Sequence, residues 1–247
     1  MTEVVVSIKE LEKEYLSGRV RIKVLNKINL EIRREFLAIL GPSGCGKSTL
    51  LRILAGVEKP TKGTIEFHIS SERPRIGFVF QFPTLIPWLT ILENVALPLE
   101  SAGIKPKEAR DEARKYLSLV GLSGFENAYP HQLSGGMKQR VNITRALAIK
   151  PQILLLDEPF SNLDPLTAEA LRAELLDIWL SGVAGVEAVV MVTHSIDEAL
   201  FMADRIAILT PRPAEVRKVV EVNLPRPRNR RSPEFQKLED YIYEFIS

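Results

Sequence analysis

Gly41-Pro42-Ser43-Gly44-Cys45-Gly46-Lys47-Ser48-Thr49 fits the pattern G-x-x-x-x-G-K-[ST] in full over its first eight residues. The apolar run Phe36-Leu37-Ala38-Ile39-Leu40 precedes it and reads as a buried strand. Thr49-Leu50-Leu51-Arg52-Ile53-Leu54-Ala55 follows, apolar at helical spacing. A glycine-rich loop between strand and helix is a cradle for phosphate. Its glycines let successive backbone N–H groups converge on one point, and the helix N-terminus adds partial positive charge. Lys47 places a full charge on the outer phosphates, the Ser48 hydroxyl suits Mg²⁺, and Thr49 supports the inner phosphate. Gly41, Pro42, Ser43, Gly44, Cys45 and Gly46 complete the cradle.

Ile153-Leu154-Leu155-Leu156 is a short, wholly apolar run ending in Asp157-Glu158-Pro159. It reads as a buried parallel strand whose carboxyl end delivers two acids, and ligands of open α/β sheets gather at such ends. Asp157 is suited to hold Mg²⁺ through water and Glu158 to polarise an attacking water. Beside a phosphate loop, the pair points to phosphoryl chemistry.

Leu133-Ser134-Gly135-Gly136-Met137 opens a further helix. Ser134 can cap it, and two glycines permit close approach of a phosphate. One chain has no use for two phosphate-binding helix ends on one nucleotide. With these stretches in this order, the chain resembles the ATP-binding subunits of ABC transporters over nearly its whole length. The resemblance implies ATP and Mg²⁺ as cofactors and a head-to-tail pair of subunits. In that pair Ser134, Gly135 and Gly136 of one chain touch the γ phosphate held by Lys47 of the other. Met137 stands where the family usually has Gln.

Smaller matches follow from the same resemblance. Gln81 resembles the Q-loop glutamine, a ligand of Mg²⁺ and water that also senses a membrane partner. Ser161-Asn162-Leu163-Asp164 resembles the D-loop, whose Asp164 joins the nucleotide-binding set, with Asn162 where the family more often has Ala. Asp164-Pro165 also reads as an N-cap followed by proline at the first helical position. His194, after Ala188-Val189-Val190-Met191-Val192, resembles the switch histidine that contacts the γ phosphate. Tyr15 stands where the family places an aromatic against adenine; the alternative is an ordinary edge-strand tyrosine. Catalysis is thus expected from Glu158, His194, Lys47 and Gln81, and metal binding from Ser48, Gln81 and Asp157.

The resemblance also sets the expected fold. It is α/β: a P-loop NTPase (RecA-like) core with a parallel sheet, an N-terminal antiparallel β subdomain and an inserted helical subdomain. Residues 1–247 form a single ABC ATP-binding domain, with 1–81 and 149–247 as core and 82–148 as a helical arm carrying the signature. From residue 150 strands and helices alternate, which argues a parallel sheet. Arg33-Arg34-Glu35 stands where the family usually turns on glycine, so that turn is expected to be reshaped. The stretch 62–77 is short, suggesting a trimmed β subdomain.

The chain has 247 residues, 45% hydrophobic and 26% charged, the balance of an ordinary globular domain. Its net charge of +2 is too small to argue for nucleic acid. No apolar run approaches the roughly 18–20 residues that span a bilayer, and Met1-Thr2-Glu3 lacks the basic region of a signal peptide. Cys45 is the single cysteine, which excludes an intramolecular disulfide and fits a reducing compartment. Its place in the phosphate loop predicts that alkylation blocks nucleotide binding. The basic run Leu224-Pro225-Arg226-Pro227-Arg228-Asn229-Arg230-Arg231 reads either as a solvated tail or as a contact with anionic lipid or a membrane subunit. The prolines around it suggest an extended C-terminal segment.

Leu85-Ile86-Pro87-Trp88-Leu89-Thr90-Ile91-Leu92-Glu93-Asn94-Val95 resembles the importers of the nitrate, sulfonate and taurine group. Phe82, Leu85, Pro87 and Trp88 are where the family forms a groove for the membrane subunit's coupling helix; the alternative is that they are core of the arm. The resemblance implies a second ATP-binding subunit, a multi-spanning permease and, indirectly, a solute-binding protein, with the chain peripheral at the cytoplasmic face of the membrane. A soluble ABC ATPase acting on ribosomes or DNA, or an exporter subunit, stays open.

Overall fold

The computed structural model describes residues 3–69, 74–182 and 185–246. In chain order they form β1 (Val4–Ser17), β2 (Val20–Arg33), β3 (Phe36–Leu40), α1 (Lys47–Leu54), β4 (Lys62–Phe67), β5 (Ile76–Val79), α2 (Ile91–Ser101), α3 (Pro106–Leu119), α4 (Gly135–Ala148), β6 (Ile153–Asp157), α5 (Pro165–Leu180), β7 (Ala188–Thr193), α6 (Ile196–Met202), β8 (Arg205–Leu209), β9 (Val216–Glu221) and α7 (Pro233–Tyr243). By contacts the chain divides into two units, Met1–Pro74 with Glu187–Ser247, and Arg75–Val186.

In the first unit β3 and β7 are apolar at nearly every position and buried at all of them. Strands covered on both faces favour parallel pairing. The order is β7-β3-β8-β9, parallel except for β9. Leu40 lies opposite Thr193 on one side and Ile208 on the other. The phosphate loop after β3 and His194 after β7 therefore leave the sheet at the same end. A second, antiparallel sheet has the order β2-β1-β4. It is tied to the first by Ala214 N–H on the Val24 carbonyl (2.8 Å) and Asn26 N–H on the Ala214 carbonyl (2.9 Å). The parallel strands and the N-terminal antiparallel sheet are those expected from the sequence.

The turn at Arg33-Arg34-Glu35 is indeed built without glycine. The Glu35 carboxylate accepts from the Arg33 N–H at 3.1 Å and from Arg205 at 2.7 Å, so a buried ion pair closes it. Burial pushes the Glu35 carboxyl up, and the Arg33 N–H and the Arg205 charge offset this only in part. The expectation of a trimmed stretch at 62–77 falls partly on 70–73, outside the described residues.

In the second unit β5 and β6 pair in parallel, Val79 opposite Leu156. Helices α2, α3 and α4 pack on one another. Thr90 starts α2 with a reciprocal cap: its side chain accepts from Glu93 N–H while Glu93 accepts from Thr90 N–H. Proline at the first turn starts α3 and α5.

One helix was not foreseen. The C-terminal segment is extended only as far as Arg231, and α7 follows, burying Phe235 and Ile242 and packing on α6. Its signal was present in the sequence: Ser232 caps Phe235 N–H, with Pro233 at the first position.

Candidate functional site

The phosphate loop has the backbone its glycines permit. Gly44 and Gly46 sit at φ +74° and +127°, where other residues are strained. A Cβ on Gly46 would lie 2.8–2.9 Å from the Leu25 and Val24 side chains, so only glycine fits beside β2. Lys47 is 4% exposed, and its ammonium donates to the Gly41 carbonyl at 2.8 Å and the Pro42 carbonyl at 3.0 Å. The lysine is thus wrapped by its own loop at the positive end of α1. Cys45 is buried at 2% exposure. An alkylating reagent therefore reaches this thiol only if the loop opens.

In the same unit, His194 is exposed at the end of β7 and begins a tight corner. Thr193 Oγ1 donates to Glu198 at 2.7 Å and accepts from Ser195 N–H at 3.0 Å, and Ser195 caps α6 through Glu198 N–H at 3.2 Å. The backbone on both sides of His194 is held.

The far end of α6 is held by the basic C-terminal run. Arg228, 8% exposed, donates to the Leu200 and Ala203 carbonyls at 2.6 Å each and to Val222 at 3.3 Å. The Leu200 and Ala203 carbonyls are orphans of the α6 C-terminus. Arg226 pairs with Asp204 and donates to the Met202 carbonyl at 2.6 Å. Arg230 pairs with Asp197 at 2.8 Å and lies over the Phe201 ring at 4.3 Å. These three arginines are not a solvated tail: they form a strap around α6. Desolvation lowers the Arg228 guanidinium to about 10, with neighbouring Arg226 adding to the shift and Asp204 opposing it. Arg228→Ala leaves buried carbonyls without donors. At about 1–3 kcal/mol per group, roughly 3–5 kcal/mol of stability should go, and the thermal midpoint should fall by about 10 °C. Calorimetry checks this; an unmoved midpoint would return the segment to the status of a surface tail.

In the second unit Asp157 ends β6 and is 6% exposed. Glu158 follows at φ +43°, a left-handed conformation uncommon for glutamate. Gln81, just beyond β5, donates to Glu158 at 3.3 Å and to Ser161 Oγ at 3.3 Å. Ser161 Oγ in turn donates to the Glu158 carbonyl at 3.0 Å, and Asn162 donates to the Gln81 carbonyl at 3.3 Å. Gln81, Glu158, Ser161 and Asn162 are therefore one hydrogen-bonded cluster. Asp164 caps α5 by accepting from Thr167 N–H at 3.0 Å; the Thr167 hydroxyl first, and then its N–H, hold the carboxyl below the usual range.

Ser134 caps α4, accepting from Met137 N–H at 3.3 Å. The two glycines after it differ. A Cβ on Gly136 would strike the Thr167 methyl at 2.4 Å, so α5 itself requires that glycine. A Cβ on Gly135 would meet nothing within 4 Å. Internal packing explains Gly136 and leaves Gly135 facing open space.

Polar side chains of α4 grip the cluster from behind, which the sequence reading missed. Buried Gln139 donates to the Pro159 carbonyl at 2.8 Å, and buried Asn142 to the Phe80 carbonyl at 3.0 Å. Arg145 donates to the Thr84 carbonyl and hydroxyl at 2.7 Å each and to Asn142 at 3.1 Å. Their spacing of three residues puts them on one helix face, a signal that periodicity alone could have raised. Asn94, fully buried, accepts from Ile86 N–H and donates to the Ile86, Leu89 and Thr90 carbonyls at 3.0–3.1 Å. It braces a loop that presents Trp88 at 76% exposure and Phe82 at 63%.

Ser48, Gln81 and Asp157 offer hard oxygen atoms, which suit Mg²⁺. Among the described residues no cluster of three or more His, Cys, Asp or Glu could hold a metal alone. Mg²⁺ is commonly held by one or two protein oxygens plus substrate phosphates, and each unit offers donors of that kind: the Ser48 hydroxyl in the first, the Asp157 carboxylate and the Gln81 amide oxygen in the second.

Parts of this kind make a P-loop nucleoside triphosphatase. Comparison narrows the class: the family model described as ABC transporter matches residues 25–161, and the chain belongs to the ABC transporter family. An uncharacterized ABC transporter ATP-binding protein of Methanocaldococcus jannaschii is 46% identical over 99% of this chain and 92% of its own length. The aliphatic sulfonates import ATP-binding protein SsuB of Bacillus subtilis is 42% identical (97% and 92% covered). The nitrate import ATP-binding protein NrtD of Synechocystis is 41% identical (97% and 94%). Among solved structures, a dimeric post-hydrolysis ATP-binding cassette bound to ADP and Pi is 37% identical, with a TM-score of 0.76 over 88% of this chain and 99% of that one. The chain is an ATPase that uses ATP with Mg²⁺.

Proposed function

We propose that this chain is the ATP-hydrolysing subunit of an importer for a small solute of the sulfonate, nitrate or taurine type, and that it works as a head-to-tail pair. Similarity to sulfonate and nitrate import ATP-binding proteins along 97% of the chain carries this reading. No helix among the described residues is long and apolar enough to cross a membrane; in this reading a multi-spanning permease supplies the path and the chain sits peripherally at the cytoplasmic face.

In the proposed mechanism Lys47 and the N–H groups of the phosphate loop bind the β and γ phosphates, and Tyr15 carries the adenine. Ser48, Asp157 and Gln81 would hold Mg²⁺, which would supply positive charge against the phosphates. Glu158 orients the attacking water, and His194 holds the γ-phosphate end. Ser134, Gly135 and Gly136 of the second subunit close on that phosphate, with Asp164 at the same interface. The open approach to Gly135 supports this contact. Residues 82–148 act as the arm that brings the signature to the phosphate. Hydrolysis removes the bridge and the pair loosens.

The exposed Trp88 loop is the proposed contact with the permease. Trp88→Ala should lower solute uptake in cells by at least about tenfold, the scale of a lost aromatic anchor, while the isolated chain keeps its ATPase rate. Normal uptake would remove this contact. The wider reading is tested by pull-down from gently solubilised native membranes. Recovery of a multi-spanning subunit and a solute-binding protein with its ligand supports an importer; ribosomes or DNA in their place would overturn it.

A further inference from the structure

Tyr15 lies on β1 beyond Glu12, the last residue paired with β4, and there pairs only with Ile22 of β2. β1 is the middle strand of its sheet, but at Tyr15 one side is uncovered. The phenol donates to the Glu58 carboxylate. Glu58 also draws Lys13 to 3.4 Å and Arg52 to 3.6 Å. Lys13 donates to the Lys59 carbonyl at 2.7 Å and stands 4.9 Å from the centroid of the Tyr15 ring. The N–H groups of Val57 and Glu58 both donate to the Arg52 carbonyl, at 2.9 and 3.2 Å. Glu58 is thus carried by chain tied to the end of α1, the helix that begins at Lys47. Burial raises the Tyr15 phenol, and Glu58 adds to the shift. Partial burial raises Glu58 too, but the Tyr15 hydrogen bond and the neighbouring cations outweigh it and leave its carboxyl low. The acceptor is therefore a carboxylate at neutral pH, and the hydrogen bond is charge-assisted.

We propose that Glu58 is a positioning residue for the nucleobase: it fixes the Tyr15 ring relative to the phosphate helix, with Lys13 covering one ring face so that a purine stacks on the other. This rests on Tyr15 being the adenine platform. Stacking a base on an aromatic side chain strengthens binding on the order of 10- to 100-fold. A ring held in place beforehand avoids an ordering cost of about 3- to 10-fold. Lys13, Arg52 and Glu58 stand outside the phosphate-loop pattern and carry no motif of their own.

The test compares affinities of the full chain for MgATP and for magnesium tripolyphosphate, which has the phosphates without the base. Tyr15→Ala should weaken MgATP about 10- to 100-fold and leave tripolyphosphate unchanged. Glu58→Ala and Tyr15→Phe should each weaken MgATP about 3- to 10-fold, again sparing tripolyphosphate, and their double variant should lose no more than either alone. Glu58→Gln, which keeps an acceptor for the phenol, should recover part of the loss. In turnover, KM rises while kcat holds. If Tyr15→Ala is selective but Glu58→Ala and Tyr15→Phe are silent, or if either weakens both ligands equally, Glu58 does not position the base and the platform stands. If Tyr15→Ala shows no selectivity for MgATP, the platform falls and the proposal with it. Tyr15→Phe keeps the ring and its packing, so it decides the matter should Glu58→Ala fold poorly.

Discussion

Lys47→Ala is expected to lower ATP turnover by at least about 10³-fold, the scale of losing a charged donor at a transferring phosphoryl group. The lysine is the one full charge in a loop whose other donors are backbone N–H groups and hydroxyls, and none of these can replace it. Its burial adds a second effect. The ammonium donates to two carbonyls of its own loop, so the variant also loses about 1–3 kcal/mol of stability. The two effects separate cleanly: circular dichroism reports the fold, and steady-state phosphate release at saturating MgATP reports the chemistry. A folded variant with near-normal turnover would remove the phosphate loop from the reaction.

Glu158→Gln is expected to slow hydrolysis by about 10²–10³-fold while ATP binding stays within a few-fold of normal. The side chain already lies within 3.3 Å of Gln81, and Ser161 and Asn162 complete the cluster around it. Glutamine keeps the shape and the hydrogen-bonding reach but loses the charge on which the proposed polarisation of water rests. The backbone at φ +43° stores local strain, of order 1–3 kcal/mol, in a residue that is not glycine. Such strain is held only where the surrounding structure determines it, here by the hydrogen bonds on both sides of the strand end. Single-turnover kinetics check the chemical step directly; an unchanged rate would take Glu158 out of the water-orienting role.

The parts of the fold written in contiguous residues were legible from the sequence. The phosphate loop, the strand ending at Asp157, the caps at Ser134 and Asp164, and the run before His194 each carry their own local physics. What could not be read depends on partners distant along the chain. Arg228 reaches back 28 residues to Leu200, and Asn142 reaches 62 residues to Phe80. Arginines among prolines look like a solvated tail because composition does not say that α6 needs its C-terminal carbonyls capped. The same applies to Glu35, whose place at a turn is explained only by Arg205 lying beside it, and to Glu58. Cys45 shows the converse case: its place in the motif was plain, and its burial was not. Helix α7 was missed for a different reason. The prolines before it drew attention to extended structure, while the local start signal at Ser232-Pro233 went unread.

The most direct measurement of the central account, two chains sharing each ATP, is the solution mass of Glu158→Gln at saturating MgATP. Twice the mass of one chain is expected with ATP, and the mass of one chain without it. Adding Ser134→Arg, which drives a bulky cation into the open approach beside Gly135, should return the mass to a single chain while ATP binding to that chain persists. A Glu158→Gln chain that stays single at saturating ATP, or a pair that survives Ser134→Arg, would contradict it.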